Sequence, residues 1–312
     1  MRESTVNQRM FQRLGALPGP VLWVIAARLK TLSLSLVPVA VGSWAAAQAG
    51  GMRLSVAVAA MAAAALIQIG TNLWNDAADG SADGAVGADG AGRLGPARMT
   101  GLGLLEAGKV RRGAGLAFGG ATLLGLWLSM VGGPVIIAIG LVSLALGYFY
   151  SMGPRPLSHT PLGEVLVVLF FGVVAVAGTV FLHGQAISGA VVGLGVITGL
   201  PAAAVLLLNN HRDRAQDQIS GRRTLAILLG ERGARGLYAL LLGVAWLAAT
   251  WWSRGCGMGG VLLLPAAALG ASLSVAMIRI PVSARLNRLI AGTAGFQVLL
   301  LAGLMLAGGI CT

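Results

Sequence analysis

Charged residues are scarce in this chain. Only 10% of its 312 residues are Asp, Glu, Lys or Arg, whereas 56% are hydrophobic. A soluble globule of this size is not expected from such a composition. Cysteine and histidine are also scarce, at two and three residues. With no Cys or His cluster in the sequence, a zinc site is not expected either.

Long apolar runs take the place of the missing charge. Each has about the length that a helix needs to cross the hydrocarbon core of a membrane. Runs of this length, rather than short alternating segments, also argue against an outer-membrane β-barrel. The sequence therefore predicts an all-α polytopic membrane protein with nine transmembrane helices. The predicted helices lie near residues 32–49, 54–75, 113–131, 134–151, 163–182, 187–209, 236–252, 259–278 and 289–309.

Positive charge is distributed unevenly around the predicted helices. The net charge of +12 could suggest a nucleic-acid partner, but 20 of the 22 Lys and Arg residues fall on one side, leaving only Arg53 and Arg254 on the other. This asymmetry predicts a cytoplasmic amino terminus and an outer carboxyl terminus in an inner or plasma membrane, with no nucleic-acid partner. Cys256 and Cys311 fall near the outer face, where lone cysteines are more often incidental than paired.

All six aspartates of the chain lie in two short segments. They are Asp76, Asp79, Asp83 and Asp89 in NLWNDAADGSADGAVGADGAGRLGPAR, and Asp213 and Asp217 in NNHRDRAQDQISGRRTLAILLG. Both segments follow even-numbered predicted helices, so both are expected at the cytoplasmic face. If each helix continues at about 100° per residue, polar side chains form one stripe on each helix. The stripes are Gln68, Asn72, Asp76, Asp79 and Asp83 on the first helix, and Asn210, Asp213 and Asp217 on the second.

Two alternatives apply to these acidic segments. The first helix could end near Gly80, because DGSADGAVGADGAG is rich in glycine. Clustered acids beside a membrane helix could also form a merely solvated loop. The regular spacing of three and four residues, with asparagines one turn earlier, favours a functional site. Each segment is also followed by two arginines. These are Arg93 and Arg98, and Arg222 and Arg223.

The residue types indicate the chemistry of such a site. Carboxylates and amides without a Cys or His cluster form a hard oxygen site that suits Mg²⁺ or Mn²⁺. Mg²⁺ usually bridges protein carboxylates to substrate phosphates, and arginines bind the same oxygens. The sequence therefore predicts a diphosphate held between metal ions and guanidinium groups. Because the surroundings are membrane, this diphosphate is expected to carry a lipid tail.

The two acidic motifs resemble those of a known family. NDAADGSAD resembles N-D-x-x-D-x-x-x-D, and RDRAQD resembles D-x-x-x-D, the paired motifs of the UbiA superfamily of intramembrane prenyltransferases. ARLKTLSLSLVPVAVG, NLWND, RLGPAR and NNHRD…GRRTLAILLG are similar to the branch that prenylates 1,4-dihydroxy-2-naphthoate in menaquinone synthesis. The resemblance implies one domain over residues 1–312, with a central cavity open to the cytoplasm. Residues 1–26 would form a cytoplasmic segment, and residues 76–112 and 210–235 the acidic active-site segments.

The resemblance also implies a reaction and a set of residues for it. A polyprenyl chain would pass from its diphosphate to an aromatic ring carbon, with loss of carbon dioxide when the acceptor is the naphthoate. The expected catalytic residues are Asp79, Asp83, Asp213 and Asp217, and the expected metal ligands are these four with Asn75 and Asp76. Asp83 is ranked above Asp89 for the third position of the first motif. The candidate substrate-binding residues are Lys30, Asn72, Asn75, Arg93, Tyr148, Tyr150, Arg155, Asn210, Arg222 and Arg223.

Several of these side chains have simpler interpretations. Tyr148 and Tyr150 could face an allylic cation or anchor the interface, and Lys30 and Arg155 could merely follow the charge bias. Glu164 could support a residue of the site, but a solvated acid at a helix start is favoured. His159 and His183 are not expected to bind metal, because neither has a partner at metal spacing. His211 lies beside Asp213 and is harder to dismiss, but it points away from the polar stripe.

Other functions are also compatible with parts of the sequence. A UbiA-type enzyme could use homogentisate or 4-hydroxybenzoate as its acceptor. An ion-coupled transporter would place its acids near the bilayer midplane, whereas these aspartates fall at helix ends. A CDP-alcohol phosphotransferase requires Ala-Arg where residues 83 and 84 are Asp-Gly. The motifs therefore favour the prenyltransferase.

Overall fold

The computed structural model describes residues 12, 14–86, 94–95, 97–151, 156–255 and 259–310. The protein is 82% helix, with no strand in these residues. The helices are α1 (Gly19–Ala26), α2 (Ser33–Gln48), α3 (Leu54–Val86), α4 (Ala107–Gly132), α5 (Pro134–Ser151), α6 (Gly163–Leu182, with a central π-helical turn), α7 (Gly189–Arg212), α8 (Arg214–Ile219), α9 (Leu225–Trp252), α10 (Gly259–Leu262), α11 (Leu264–Arg279) and α12 (Asn287–Ile310).

Among the described residues, six helices are long and apolar enough to cross a membrane. They span Leu54–Ala78, Ala107–Gly132, Gly163–Leu182, Gly189–Arg212, Leu225–Trp252 and Ala284–Gly308. Helices α2, α5, α10 and α11 cover the three remaining predicted runs, at 32–49, 134–151 and 259–278. The prediction of an all-α, multi-pass membrane protein is confirmed. The count of nine transmembrane helices and the side on which a cavity opens stay predictions.

Helix α7 lies at the centre of the bundle and packs against α2, α6, α9 and α12. Its small residues allow this close approach. A Cβ atom added to Gly199 would lie 2.7 Å from the Val168 carbonyl oxygen and 2.8 Å from the Val168 Cα. Lipid provides no hydrophobic drive for helix association, so close van der Waals packing has to stabilise the α6–α7 pair. This packing places the start of α6 beside the end of α7.

Helix α3 contains the first three aspartates of the first acidic segment and is longer than a membrane span requires. Its 33 residues span about 50 Å at about 1.5 Å per residue, whereas the hydrocarbon core is about 30 Å thick. The alternative that this helix ends near Gly80 is wrong, because the helix continues to Val86. Asp76, Asp79 and Asp83 therefore lie on one continuous helix that packs along α4.

The second acidic segment does not continue its helix without interruption. Asp213 has φ −92° and ψ 5°, and it separates α7 from the short helix α8. The Asp213 amide still donates to the Asn209 carbonyl at 3.0 Å, and the Asp217 amide donates to the Asp213 carbonyl at 2.9 Å. The assumption of one unbroken helix was wrong here, although the two aspartates remain one turn apart.

Candidate active site

Asp76 fixes the segment that follows the first acidic motif. Its side chain is fully buried, and Oδ2 accepts from the Met99 amide at 3.0 Å. Oδ1 accepts from both the amide and the hydroxyl of Thr100, each at 2.9 Å. A carboxylate has about four lone-pair sites, so these bonds do not exhaust its capacity. Metal binding by Asp76 therefore stays a prediction, whereas its hydrogen bonds to residues 99 and 100 are a finding.

The two asparagines of the first motif join α3 to its neighbours. Asn72 is buried, and its Nδ2 donates to the Ala27 carbonyl at 2.9 Å, which ties α3 to the end of α1. Asn75 is half-buried, and its backbone carbonyl accepts a hydrogen bond from the Arg98 guanidinium. Arg98 is itself buried, so its side chain attaches this part of the chain to α3 in addition to the backbone amides of residues 99 and 100.

A buried arginine holds the first aspartate of the second motif. Arg212 Nε donates to Asp213 Oδ1 at 2.8 Å, and Nη2 donates to Oδ2 at 2.5 Å. Its remaining amino group, Nη1, donates to Asn209 Oδ1 at 2.8 Å and to Asn287 Oδ1 at 2.6 Å. Adjacent residues on a continuous helix point in different directions. The break at Asp213 allows the bidentate geometry, which is the stronger kind of ion pair.

The second aspartate of this motif pairs with one of the predicted arginines. Arg222 Nη1 lies 3.1 Å from Asp217 Oδ1, and Asp217 is buried whereas Arg222 is partly exposed. Burial raises the pKa of the Asp217 carboxyl, and the charge of Arg222 opposes that rise. The Arg223 amide donates to the His159 carbonyl at 2.8 Å, so the loop before α6 contacts the loop after α8.

Glu164 is part of the same end of the bundle. The expectation that it would be solvated is wrong, because only 4% of its surface is exposed. Asn210 Nδ2 donates to Glu164 Oε1 at 2.9 Å, and Oε2 has no hydrogen-bond partner among the described residues. Glu164 therefore orients a predicted substrate-binding asparagine. His183 lies elsewhere, with its Nε2 3.2 Å from Ser43 Oγ.

For several predicted site residues, the structure describes the position in a helix or turn but not the side chain. Asp79 and Asp83 lie on α3, Lys30 in the 3₁₀ turn Leu29–Thr31, and Tyr148 and Tyr150 on α5. Asp89, Arg93, Arg155, Cys256 and Cys311 fall outside the described residues. In the described part of the chain, no three or more His, Cys, Asp or Glu side chains come together as a metal site. The roles proposed for these residues stay predictions.

Sequence reasoning missed three contributors to this site. Arg212, Thr100 and Asn287 were not proposed, although each contacts an acidic motif or a partner of one. Asn287 Nδ2 also donates to the Leu94 carbonyl at 2.8 Å, so α12 reaches the segment that follows the first motif. For Asn287, the only signal in the sequence was a polar amide at the start of the last apolar run.

The donors that the structure describes suit a hard divalent cation. Asp213 and Asp217 supply carboxylate oxygens one turn apart, and the Asp213 side chain remains about a third exposed. A carboxylate that binds arginine through one side keeps lone pairs for a cation on the other. Oxygen donors of this kind fit Mg²⁺, so the second motif could provide half of a metal–diphosphate site.

Known proteins resemble this chain in sequence and in fold. The UbiA prenyltransferase family model matches residues 35–309. A 1,4-dihydroxy-2-naphthoate octaprenyltransferase of Mycobacterium tuberculosis is 35% identical over 72% of this chain and 75% of its own. The Escherichia coli protein of that name is 32% identical over 70% and 72%.

A solved structure supports the same relationship at the level of the fold. This structure is of a UbiA homolog from Archaeoglobus fulgidus bound to GPP and Mg²⁺. The match has a TM-score of 0.58 and 13% sequence identity, and it covers 93% of this chain and 100% of the homolog. At this identity the likeness concerns the fold alone. The family model matches nearly nine tenths of the sequence, and both naphthoate octaprenyltransferases are more than 30% identical to it. This chain therefore belongs to the UbiA prenyltransferase family.

Proposed function

We propose that this protein transfers a polyprenyl chain from polyprenyl diphosphate to 1,4-dihydroxy-2-naphthoate. The ring loses its carboxyl group as carbon dioxide, which gives the skeleton of demethylmenaquinone, so the protein acts in menaquinone biosynthesis. One observation carries this proposal: relatives from two distant bacteria, each aligned over at least 70% of this chain, have the same naphthoate octaprenyltransferase name. Homogentisate and 4-hydroxybenzoate are the alternative acceptors.

Mg²⁺ is the proposed cofactor, with Mn²⁺ as a possible substitute. The residues proposed to hold it are Asn75, Asp76, Asp79, Asp83, Asp213 and Asp217. When bound, a divalent cation neutralises the diphosphate and stabilises the charge that grows on it as the allylic C–O bond breaks. Arg212 would keep the Asp213 carboxylate oriented, since it donates to both carboxylate oxygens.

The cations around the motifs would bind and orient the diphosphate. Arg222 is suited to this, because its guanidinium is partly exposed while it pairs with Asp217. Lys30, Arg93, Arg155 and Arg223 are further candidates. Once the diphosphate leaves with the electron pair of the C–O bond, a ring carbon forms the new C–C bond with the allylic cation. The apolar interior of the bundle would keep water from that cation, and Tyr148 and Tyr150 would stabilise it through their ring faces.

The site is proposed to face the cytoplasm, with the amino terminus inside and the carboxyl terminus outside. This follows from the 20 of 22 Lys and Arg residues that share the acidic side under a nine-helix topology. Residues 1–312 would act as a single domain. Ion-coupled transport is not favoured, because Asp76, Asp213 and Asp217 lie toward or beyond helix ends rather than at mid-helix.

A reconstituted assay tests the proposed reaction. Purified protein is given radiolabelled octaprenyl diphosphate with the naphthoate, homogentisate or 4-hydroxybenzoate, in Mg²⁺ or in excess EDTA. We expect labelled product with the naphthoate only, and none in EDTA. Equal use of a benzoate acceptor would contradict the proposed specificity, and full activity in EDTA would contradict the metal-dependent mechanism.

A further inference from the structure

The residues that follow the first acidic motif contact that motif directly, and they contact the second motif through Asn287. Residues 94–95 and 97–100, here called the linking segment, are bonded to the first motif because Asp76 accepts from Met99 and Thr100. At its other end, the Leu94 carbonyl accepts from Asn287 Nδ2 at 2.8 Å. The linking segment is therefore held at one end by α3 and at the other by α12.

Asn287 uses both ends of its amide. Its Nδ2 donates to Leu94, and its Oδ1 accepts from Arg212 Nη1 at 2.6 Å. Arg212 is only 4% exposed and binds both carboxylate oxygens of Asp213. Hydrogen bonds thus join Asp76 to residues 99 and 100, and they join residue 94 through Asn287 and Arg212 to Asp213.

This chain of contacts matters because the two motifs lie on separate helices. Helix α3 packs chiefly along α4, whereas α7 packs chiefly against α6 and α9. If carboxylates of both motifs bind one metal–diphosphate complex, their separation has to be held closely. A misplacement of about 1 Å from a distant change can cost roughly 10²-fold in rate. Among the contacts of the described residues, Asn287 joins the linking segment to Arg212 beside the second motif.

We propose that Asn287 is a positioning residue that sets the distance between the two acidic motifs. It acts through Leu94 on the first motif and through Arg212 on the second, and it does not itself touch substrate. This inference rests on the proposed function, since it assumes that one Mg²⁺–diphosphate complex is bound by both motifs.

Two substitutions separate the two contacts of Asn287. Asn287→Asp keeps an acceptor for Arg212 but cannot donate to the Leu94 carbonyl. Asn287→Leu removes both contacts at similar volume. Gln297→Leu is the matched control, because Gln297 is a buried amide on the same helix whose Nε2 donates to the Thr198 carbonyl at 2.9 Å, away from both motifs.

The measurement follows binding as well as turnover. Thermal unfolding of the detergent-solubilised protein is recorded with farnesyl S-thiolodiphosphate, a poorly reactive diphosphate analogue, over a series of Mg²⁺ concentrations. We expect the Mg²⁺ concentration for half-maximal stabilisation to rise at least tenfold in both Asn287 variants. The KM for the naphthoate should stay within twofold. Gln297→Leu should lower the unfolding temperature without analogue and leave the Mg²⁺ requirement within twofold of wild type.

Each outcome has a defined meaning. A wild-type Mg²⁺ requirement in Asn287→Asp would overturn the inference, because the contact with Leu94 would then be dispensable. A wild-type requirement in Asn287→Leu would overturn it as well. Should the leucine variant fail to assemble, the aspartate variant still decides, since it retains the acceptor for the buried Arg212. Wild-type protein that gains no stability from Mg²⁺ and the analogue would contradict the proposed function instead.

Discussion

Replacing Asp76 with asparagine should release the linking segment while leaving the bundle assembled. The carboxylate accepts from two backbone amides and one hydroxyl in a fully buried position. Asparagine can keep an oxygen toward one amide, but its own NH₂ group then faces the other. The loss of one charge-assisted hydrogen bond, about 1.5–3 kcal/mol, and one unpaired buried N–H, about 1–3 kcal/mol, together give about 2.5–6 kcal/mol.

Hydrogen exchange measures this effect locally. Since about 1.4 kcal/mol corresponds to a factor of ten, the Met99 and Thr100 amides should exchange roughly 10² to 10⁴ times faster in Asp76→Asn. Glu106→Gln is the control, because Glu106 lies a few residues away and pairs with Lys109 on the surface at 3.0 Å. That variant should leave the exchange of both amides unchanged.

One result would refute the reasoning. If Asp76→Asn left exchange at residues 99 and 100 within twofold of wild type, the hydrogen bonds of this carboxylate would not hold the linking segment. A large increase in the Mg²⁺ requirement without any change in exchange would assign Asp76 to metal binding alone.

Three further predictions concern the motifs and the packing beneath them. Asp79→Asn and Asp213→Asn should each abolish turnover, while their size-exclusion profiles should match that of the wild-type protein. Aggregated or unfolded variants would instead show that these carboxylates have a structural role. Gly199→Val should cost about 2–3 kcal/mol and lower the unfolding temperature, because its side chain would collide with the α6 backbone. Gly243→Ala should not lower the unfolding temperature, because nothing lies within 4 Å of the added Cβ. An equal fall in unfolding temperature in the Gly199 and Gly243 variants would refute the packing argument. Glu164→Gln should keep most activity, because it preserves a hydrogen-bond acceptor for Asn210. Glu164→Ala should raise the KM for the prenyl diphosphate. Equal KM values in the two variants would argue against an orienting role for Glu164.

The sequence alone determined that this protein is embedded in a membrane, that its fold class is all-α, and which family it belongs to. Hydropathy over about twenty residues reports a local property, whether a segment prefers lipid, so it located the apolar helices without any knowledge of their packing. The spacing of Asp76, Asp79 and Asp83 placed them on one helical face for the same local reason. The sequence also identified both acidic motifs, because each motif is a short pattern of neighbouring residues.

The tertiary structure alone decided which partners these side chains have. Arg212 and Asp213 are adjacent in sequence, yet they pair only because the helix breaks between α7 and α8. Asn287 bonds to Leu94 across 193 residues, and Glu164 is buried against the end of α7 rather than solvated. Contacts of this kind depend on which helices approach one another, and the hydropathy of a segment does not identify its neighbours. Local periodicity therefore located the acids, whereas long-range packing determined how they are held.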